Sequence, residues 1–311
     1  MPALTWSAWK PLPLTLSPTV LAETLDGGQS FRWNRLTDGV WFGIWGECVA
    51  KISQADDGSL RWSAPTAIAD RVEHGLTRYL GIDAGLADQI DQLPWRSDLH
   101  LAKCLDTFPA LRILRQPFDE TLLCFLCSAT KQIVQIKQMV TLLAARHGRE
   151  ITPGVNRLPT WAELAHVSEL DLRGCLLGFR ARYIHQTACF LAANPDWLVA
   201  TEALAYSEAK ARLCSLPGVG EKVADCVLLF GAGQIEAFPV DVWILKTMER
   251  RYGLTGWKPA QIAQFGRAHF GPLAGLAQQY LFAYERQTAK TARTQTTPNH
   301  QEAPTSLSSI K

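Results

Sequence analysis

Leu216-Pro217-Gly218-Val219-Gly220-Glu221-Lys222-Val223-Ala224-Asp225-Cys226, followed by Pro239-Val240-Asp241-Val242, is the stretch on which the reading of this 311-residue chain turns. Upstream, residues 204–214 carry Leu204, Ala205, Ala209 and Leu213 at helical spacing, with Lys210 and Arg212 off that face. Downstream, Val223, Ala224, Val227, Leu228 and Phe230 continue a second apolar helix that should stop near Gly231 and Gly233. The spacing predicts helix, hairpin, helix. Gly218 and Gly220 admit backbone angles closed to other residues and carry no side chain to obstruct a ligand. The amides of Gly218, Val219 and Gly220 can then point outward at a helix N-terminus, where backbone dipoles favour an anion such as phosphate. A tight turn between two core helices would use the same glycines. The hairpin alone leaves both readings open.

Lys222 stands in the first turn of the second helix, where the macrodipole disfavours a cation, so helix stability does not account for it. A solvated surface lysine remains the plain alternative. Asp241 likewise reads as the N-cap of a helix that opens at Val242 after Pro239. Chain length allows the two to meet. The helix from Lys222 to Gly231 advances about 15 Å at 1.5 Å per residue, and the 233–239 linker spans up to roughly 25 Å.

These residues resemble the helix-hairpin-helix superfamily of DNA glycosylases, and within it the 8-oxoguanine DNA glycosylase family, over residues 21–287. Further anchors follow in the family's order. They are Gly28-Gln29-Ser30-Phe31-Arg32-Trp33, Ile113-Leu114-Arg115-Gln116 leading into Phe125-Leu126-Cys127-Ser128, Gly178-Phe179-Arg180-Ala181-Arg182-Tyr183, and Gly275-Leu276-Ala277-Gln278-Gln279-Tyr280-Leu281-Phe282. The resemblance implies that Lys222 attacks the sugar carbon bearing a damaged base, that a Schiff base forms, and that beta-elimination can nick the strand. It assigns Asp241 to stabilising the positive charge on the sugar and to orienting Lys222. A lysine nucleophile must be neutral, yet at a reference pKa near 10.4 only roughly one in two thousand is neutral at pH 7 in water. Because a base inside a duplex is out of reach, the nucleotide has to be flipped into a pocket. The resemblance places Gly28, Cys226, Gln278 and Phe282 around that base. Each also passes as core or turn.

The departures from the family pattern concern the opposite strand. Ala129-Thr130-Lys131-Gln132 stands where consecutive asparagines are usual, Gln135 replaces an arginine that helps read the orphaned cytosine, and Phe179 replaces a tyrosine wedge beside the retained Arg180. A guanidinium engages two acceptors in fixed geometry, whereas glutamine offers a shorter neutral amide. Relaxed opposite-base selectivity is the expectation. Trp243 also replaces a histidine common after the Val-Asp-Val triplet.

Composition fits this reading. Net charge is only +2, but residues 1–100 hold 8 Lys/Arg against 12 Asp/Glu, a net of −4, while residues 101–290 hold 21 against 16, a net of +5. The basic excess lies in the half that carries the hairpin, as an electrostatic footprint on DNA requires. Strand-like alternation at residues 30–33, 40–45, 48–52 and 60–62 predicts an antiparallel sheet. From Thr66 onward helices dominate, with Cys124, Cys127, Val134, Met139, Leu142 and Leu143 on apolar faces. The expected fold is α+β, with a sheet domain and flanking helices over residues 1–100 and a helical glycosylase domain over residues 101–287. A disordered tail is expected over residues 288–311. Eight cysteines without disulfide spacing read as reduced core residues, and Cys124-x-x-Cys127 lacks the second pair a zinc site needs. Prolines at 2, 11, 13 and 18 break any amino-terminal membrane span. The expectations are an intracellular monomer without cofactor or side-chain metal site, partnered by double-stranded DNA containing a damaged base. Two alternatives stand beside the bifunctional oxidised-purine glycosylase: a glycosylase for another base, such as an alkylated purine, and a non-catalytic damaged-DNA-binding module.

Overall fold

A computed structural model describes residues 4–295. Five antiparallel strands form the amino-terminal sheet: β1 (Lys10–Thr15), β2 (Trp33–Arg35), β3 (Trp41–Trp45), β4 (Cys48–Gln54) and β5 (Ser59–Ser63). Their order is β1-β5-β4-β3-β2. Three meander strands lie close to the expected positions. β2 instead starts at Trp33, because Phe31 and Arg32 form the preceding bend. β1 went unread because Pro11 and Pro13 interrupt it. As a sheet-edge strand it tolerates residues without an N–H, pairing Leu12 with Leu60 of β5.

The sheet's inner face is built from tryptophans. Trp33 is fully buried, stacks on Trp45 at 5.9 Å and donates its indole N–H to the Tyr79 hydroxyl at 3.0 Å. Burying one such ring removes about 150–250 Å² from water, an upper limit of roughly 4–6 kcal/mol. Beyond residue 66 the chain is helical apart from a short hairpin, Glu150–Thr152 with Val155–Asn156. Residues 288–295, expected to be disordered, continue the helix Ala274–Gln295, so that expectation fails there. Residues 296–311 lie outside the described residues.

Two apolar clusters organise the protein, and they do not divide at residue 100. One joins the sheet and the segment to Leu114 with Phe238 from the 233–239 linker and with Ile244, Met248, Ile262 and Tyr280 from the last three helices. The other gathers residues from Phe118 to Ala237, and Phe31 reaches into it from the amino-terminal segment. The chain thus crosses between clusters around Phe31, between Leu114 and Phe118, and between Ala237 and Phe238. The first and last of these crossings border the site described next.

Candidate active site

The predicted helix–hairpin–helix forms, with Tyr206–Cys214 as its first helix and Glu221–Val227 as its second. The second continues through a wider π turn, Leu228–Ala232, and ends at Gly233. Gly218 has φ +77°, and a Cβ there would lie 2.6 Å from the Tyr183 ring, so both conformation and packing demand glycine. Gly220 precedes the second helix in extended conformation and a Cβ there would meet nothing within 4 Å. The approach to Gly220 at the helix start is therefore unobstructed, while the Val219 amide donates to Leu216 O at 3.2 Å.

Lys222 projects from this first turn, half-buried, onto an aromatic floor. Its Nζ donates to Ser128 Oγ at 3.3 Å and sits 5.2 Å from the Phe125 ring centroid. Phe125 packs edge-on against Phe31 at 5.4 Å and stacks on Phe230 at 5.6 Å. Cys226, one turn on, is buried, and burial pushes its thiol up to about 11 against the opposing pull of Lys222. It remains a neutral thiol at physiological pH. On the same helix, the buried Asp225 receives Tyr206 Oη at 2.7 Å and Lys210 Nζ at 3.0 Å, while Arg267 donates to the Tyr206 hydroxyl at 3.1 Å. This network ties the Lys222 helix to its neighbours.

Asp241 caps the helix Val242–Tyr252, as its sequence position predicts. Both backbone bonds, from Trp243 N at 3.0 Å and Ile244 N at 2.9 Å, go to Oδ1. Capping therefore does not require Oδ2. Burial raises the Asp241 pKa, while the Ile244 amide and the Lys222 charge oppose the rise. Cap and site residue are one group.

Lys222, Asp241, Cys226, Gly28, Gln278 and Phe282 line a single cavity of about 60 Å³, together with Phe125, Phe230, Pro239 and Gln279. Gly28 adopts φ +107°, and a Cβ there would come within 3.1 Å of Ile133 Cδ1. The adjacent Gln29 is wholly buried and fixes this loop: it donates to Arg112 O, accepts from Leu114 N, and its own carbonyl accepts from Gln116 Nε2. Two distant sequence anchors are thus one clamp. Gln278 donates to Pro239 O at 3.1 Å, while its Oε1 is buried without a hydrogen-bond partner among the described residues.

Comparison with known proteins agrees with this geometry. Residues 11–122 match the family model described as 8-oxoguanine DNA glycosylase, N-terminal domain. The N-glycosylase/DNA lyase OGG1 of Arabidopsis thaliana is 31% identical over 299 residues, covering 91% of this chain and 82% of that protein. The chain belongs to the 8-oxoguanine DNA glycosylase family. The N-glycosylase/DNA lyase of Saccharomyces cerevisiae is 31% identical over 282 residues, covering 79% of this chain and 72% of that protein. Among solved structures of the family, the Clostridium acetobutylicum 8-oxoguanine glycosylase/lyase bound to DNA with cytosine opposite 8-oxoG is 28% identical. It superposes with a TM-score of 0.81, covering 91% of this chain and 99% of that one. The 3-methyladenine DNA-glycosylase of Archaeoglobus fulgidus shares the fold at 18% identity and a TM-score of 0.70, covering 90% of this chain and 99% of that one.

The residues expected to face the opposite strand, the retained Arg180 among them, lie outside the cavity. Arg180 is 2% exposed and spends its guanidinium on its own chain, donating to Ala129 O, to Thr130 Oγ1 at 3.0 Å and to Leu177 O at 3.2 Å. Phe179 lies over it at 4.4 Å. Thr130 sits at φ +56°, a conformation asparagine tolerates and a β-branched residue resists, which gives a physical reason for asparagine in this segment of other family members. Gln135 returns its Oε1 to Gln132 N at 3.1 Å as half of a capping box, and Lys131 is exposed. Val134, expected on an apolar face, is 65% exposed. Sequence patterns gave Ser128, Phe230, Pro239, Gln279 and Ile133 no place at the site. Ser128, Pro239 and Gln279 lie within quoted stretches and Phe230 and Ile133 in apolar runs, where no local signal marks a wall residue.

All eight cysteines are free thiols, with Cys189 exposed and Cys214 half-buried rather than in the core. Among the described residues, no helix is long and apolar enough to cross a membrane.

Proposed function

We propose that this glycosylase removes 8-oxoguanine from duplex DNA by attack of Lys222 and then nicks the strand through its lyase activity. The Nζ lone pair forms a bond to the sugar C1′ as the N-glycosidic bond breaks and the base departs with the bonding pair. Ring opening gives an imine between Lys222 and the sugar. Loss of a C2′ proton then expels the 3′ phosphate. Asp241 opposes the positive charge that develops on the sugar, its Oδ2 being free of the cap. The observation that carries this reading is the convergence of Lys222 and Asp241 on one cavity with Cys226, Gln278 and Phe282.

The pocket roles follow from the donors present. The N1–H and N2–H₂ groups of a guanine suit an acceptor such as the unpartnered Gln278 Oε1, and the Gly28 loop is held rigidly enough by Gln29 to present its backbone to the other edge. Phe282 and Cys226 supply apolar faces. A cavity of about 60 Å³ is far below the 300–1,000 Å³ of typical ligand sites, so the base enters by displacing a wall side chain. The hairpin residues Gly218, Val219 and Gly220 would hold a backbone phosphate of the same strand. The protein acts as a monomer in this reading. Selectivity for the base opposite the lesion is relaxed, because Arg180 is held by its own chain and Gln135 offers a neutral amide in place of a guanidinium.

A panel of duplexes carrying 8-oxoguanine, a formamidopyrimidine or 3-methyladenine, scored separately for base release and nicking, tests the proposal. Release and nicking of 8-oxoguanine are expected. Release of the alkylated base alone, or binding without release, would refute it. Placing C, T, G and A opposite 8-oxoguanine tests the relaxed selectivity, and a strong preference for cytosine would overturn that part.

A further inference from the structure

Around the buried Arg180 the protein displays apolar side chains. Leu176 is 58% exposed, Val134 65% and Phe179 52%. Leu176 and Val134 line one open groove of about 590 Å³ that begins at Ile133, the residue against Gly28 at the cavity wall. Phe179 lies three residues beyond Leu176 in the same connection and covers the engaged Arg180. Leu176 itself has φ +63° and ψ 15°, inside a kinked segment where a bulky residue is a genuine outlier. A leucine that is both strained and exposed gains nothing for the fold from either property. Such outliers persist where function uses them.

We infer that Leu176, with Val134 and Phe179, forms an apolar platform that holds the base left unpaired when the lesion is extruded. Contact with an apolar surface tolerates every base, since each has a π face, whereas hydrogen bonds discriminate. Leucine and phenylalanine are also the side chains that enter a disturbed base stack. The inference rests on the duplex-binding reading above and extends it to the second strand. Leu176 and Val134 are binding residues in this account, and they contribute equally whichever base stands opposite the lesion.

The test uses the full-length protein with duplexes carrying a tetrahydrofuran abasic analogue opposite C, T, G or A, so that binding is measured without Lys222 chemistry. Leu176→Gly removes the side chain and suits the positive φ, so Tm should rise by about 1–3 °C while Kd weakens roughly 5–10-fold for all four duplexes. The dependence of log Kd on log salt should keep its slope, since no phosphate contact is lost. Leu176→Asn, which accepts the same backbone angles but is polar, should weaken binding in the same uniform way. Unchanged affinity in both variants, a loss confined to one base, a reduced salt slope, or a fall in Tm for Leu176→Gly would each overturn the platform. Failure of the wild-type protein to release 8-oxoguanine would sink the proposed activity without bearing on these affinities.

Discussion

Replacing Asp241 by asparagine should separate its two duties. Asparagine caps a helix about as well as aspartate, whereas alanine loses typically ~1 kcal/mol. The two bonds from Trp243 N and Ile244 N to Oδ1 can be kept by an amide oxygen. Burial raises the Asp241 pKa above its unfolded value, so between the two values the folded state binds more protons and stability falls as pH rises through that window. Above the folded pKa the wild type bears the whole cost of a charged, partly desolvated carboxylate, which asparagine does not carry. Asp241→Asn should therefore match or exceed the wild-type Tm at pH 7.5, with the margin shrinking as pH falls through the raised folded value towards the ordinary carboxylate value. Asp241→Ala should lower Tm by about 1–3 °C. Both should cut single-turnover base release by roughly 10²–10³-fold, the scale on which one electrostatic stabiliser is lost. Thermal unfolding across pH 3–8 and single-turnover release on an 8-oxoguanine duplex measure the two effects. If Asp241→Asn is as unstable as Asp241→Ala, or retains near wild-type release, the division of labour is wrong.

Three further outcomes are expected. Gly218→Ala should destabilise the protein by about 1–3 kcal/mol, since it combines φ +77° with a 2.6 Å clash on Tyr183; denaturant unfolding measures this, and DNA affinity should fall as well. Asp225→Ala should lower stability by about 3–5 kcal/mol by leaving Lys210 and Tyr206 without their buried partner, and a change below 1 kcal/mol in urea would show that the network carries little. Thr130→Asn should raise Tm by about 1–2 °C, because asparagine accepts φ +56° and its Oδ1 can still receive Arg180; an unchanged or lower Tm would argue that the threonine is unstrained.

The helical hairpin and the meander strands were legible because each rests on a local signal: glycines at fixed offsets, a 3.6-residue apolar period, and alternation between turns. Asp241 was readable as a cap for the same reason. β1 was not, since two prolines in six residues argue against a strand unless its edge position is already known. The helix beyond Gln287 was missed because the sequence of residues 288–295 has no apolar period, and it persists as the extension of a helix anchored upstream. Within the site, the bond from Lys222 to Ser128 spans 94 residues of sequence and the clamp between Gln29 and Gln116 spans 87. No periodicity records such distances. Val134 shows the converse error, an apolar residue at core spacing that the fold leaves outside.

The central claim is that the Lys222 amine forms a covalent bond to the sugar. Borohydride reduction during reaction with an 8-oxoguanine duplex should yield a stable protein–DNA adduct for the wild type. Lys222→Gln should give none while still binding a tetrahydrofuran duplex within a few-fold of wild type. An adduct that persists in Lys222→Gln, or a wild-type protein that releases the base and nicks the strand with no adduct, would contradict the account.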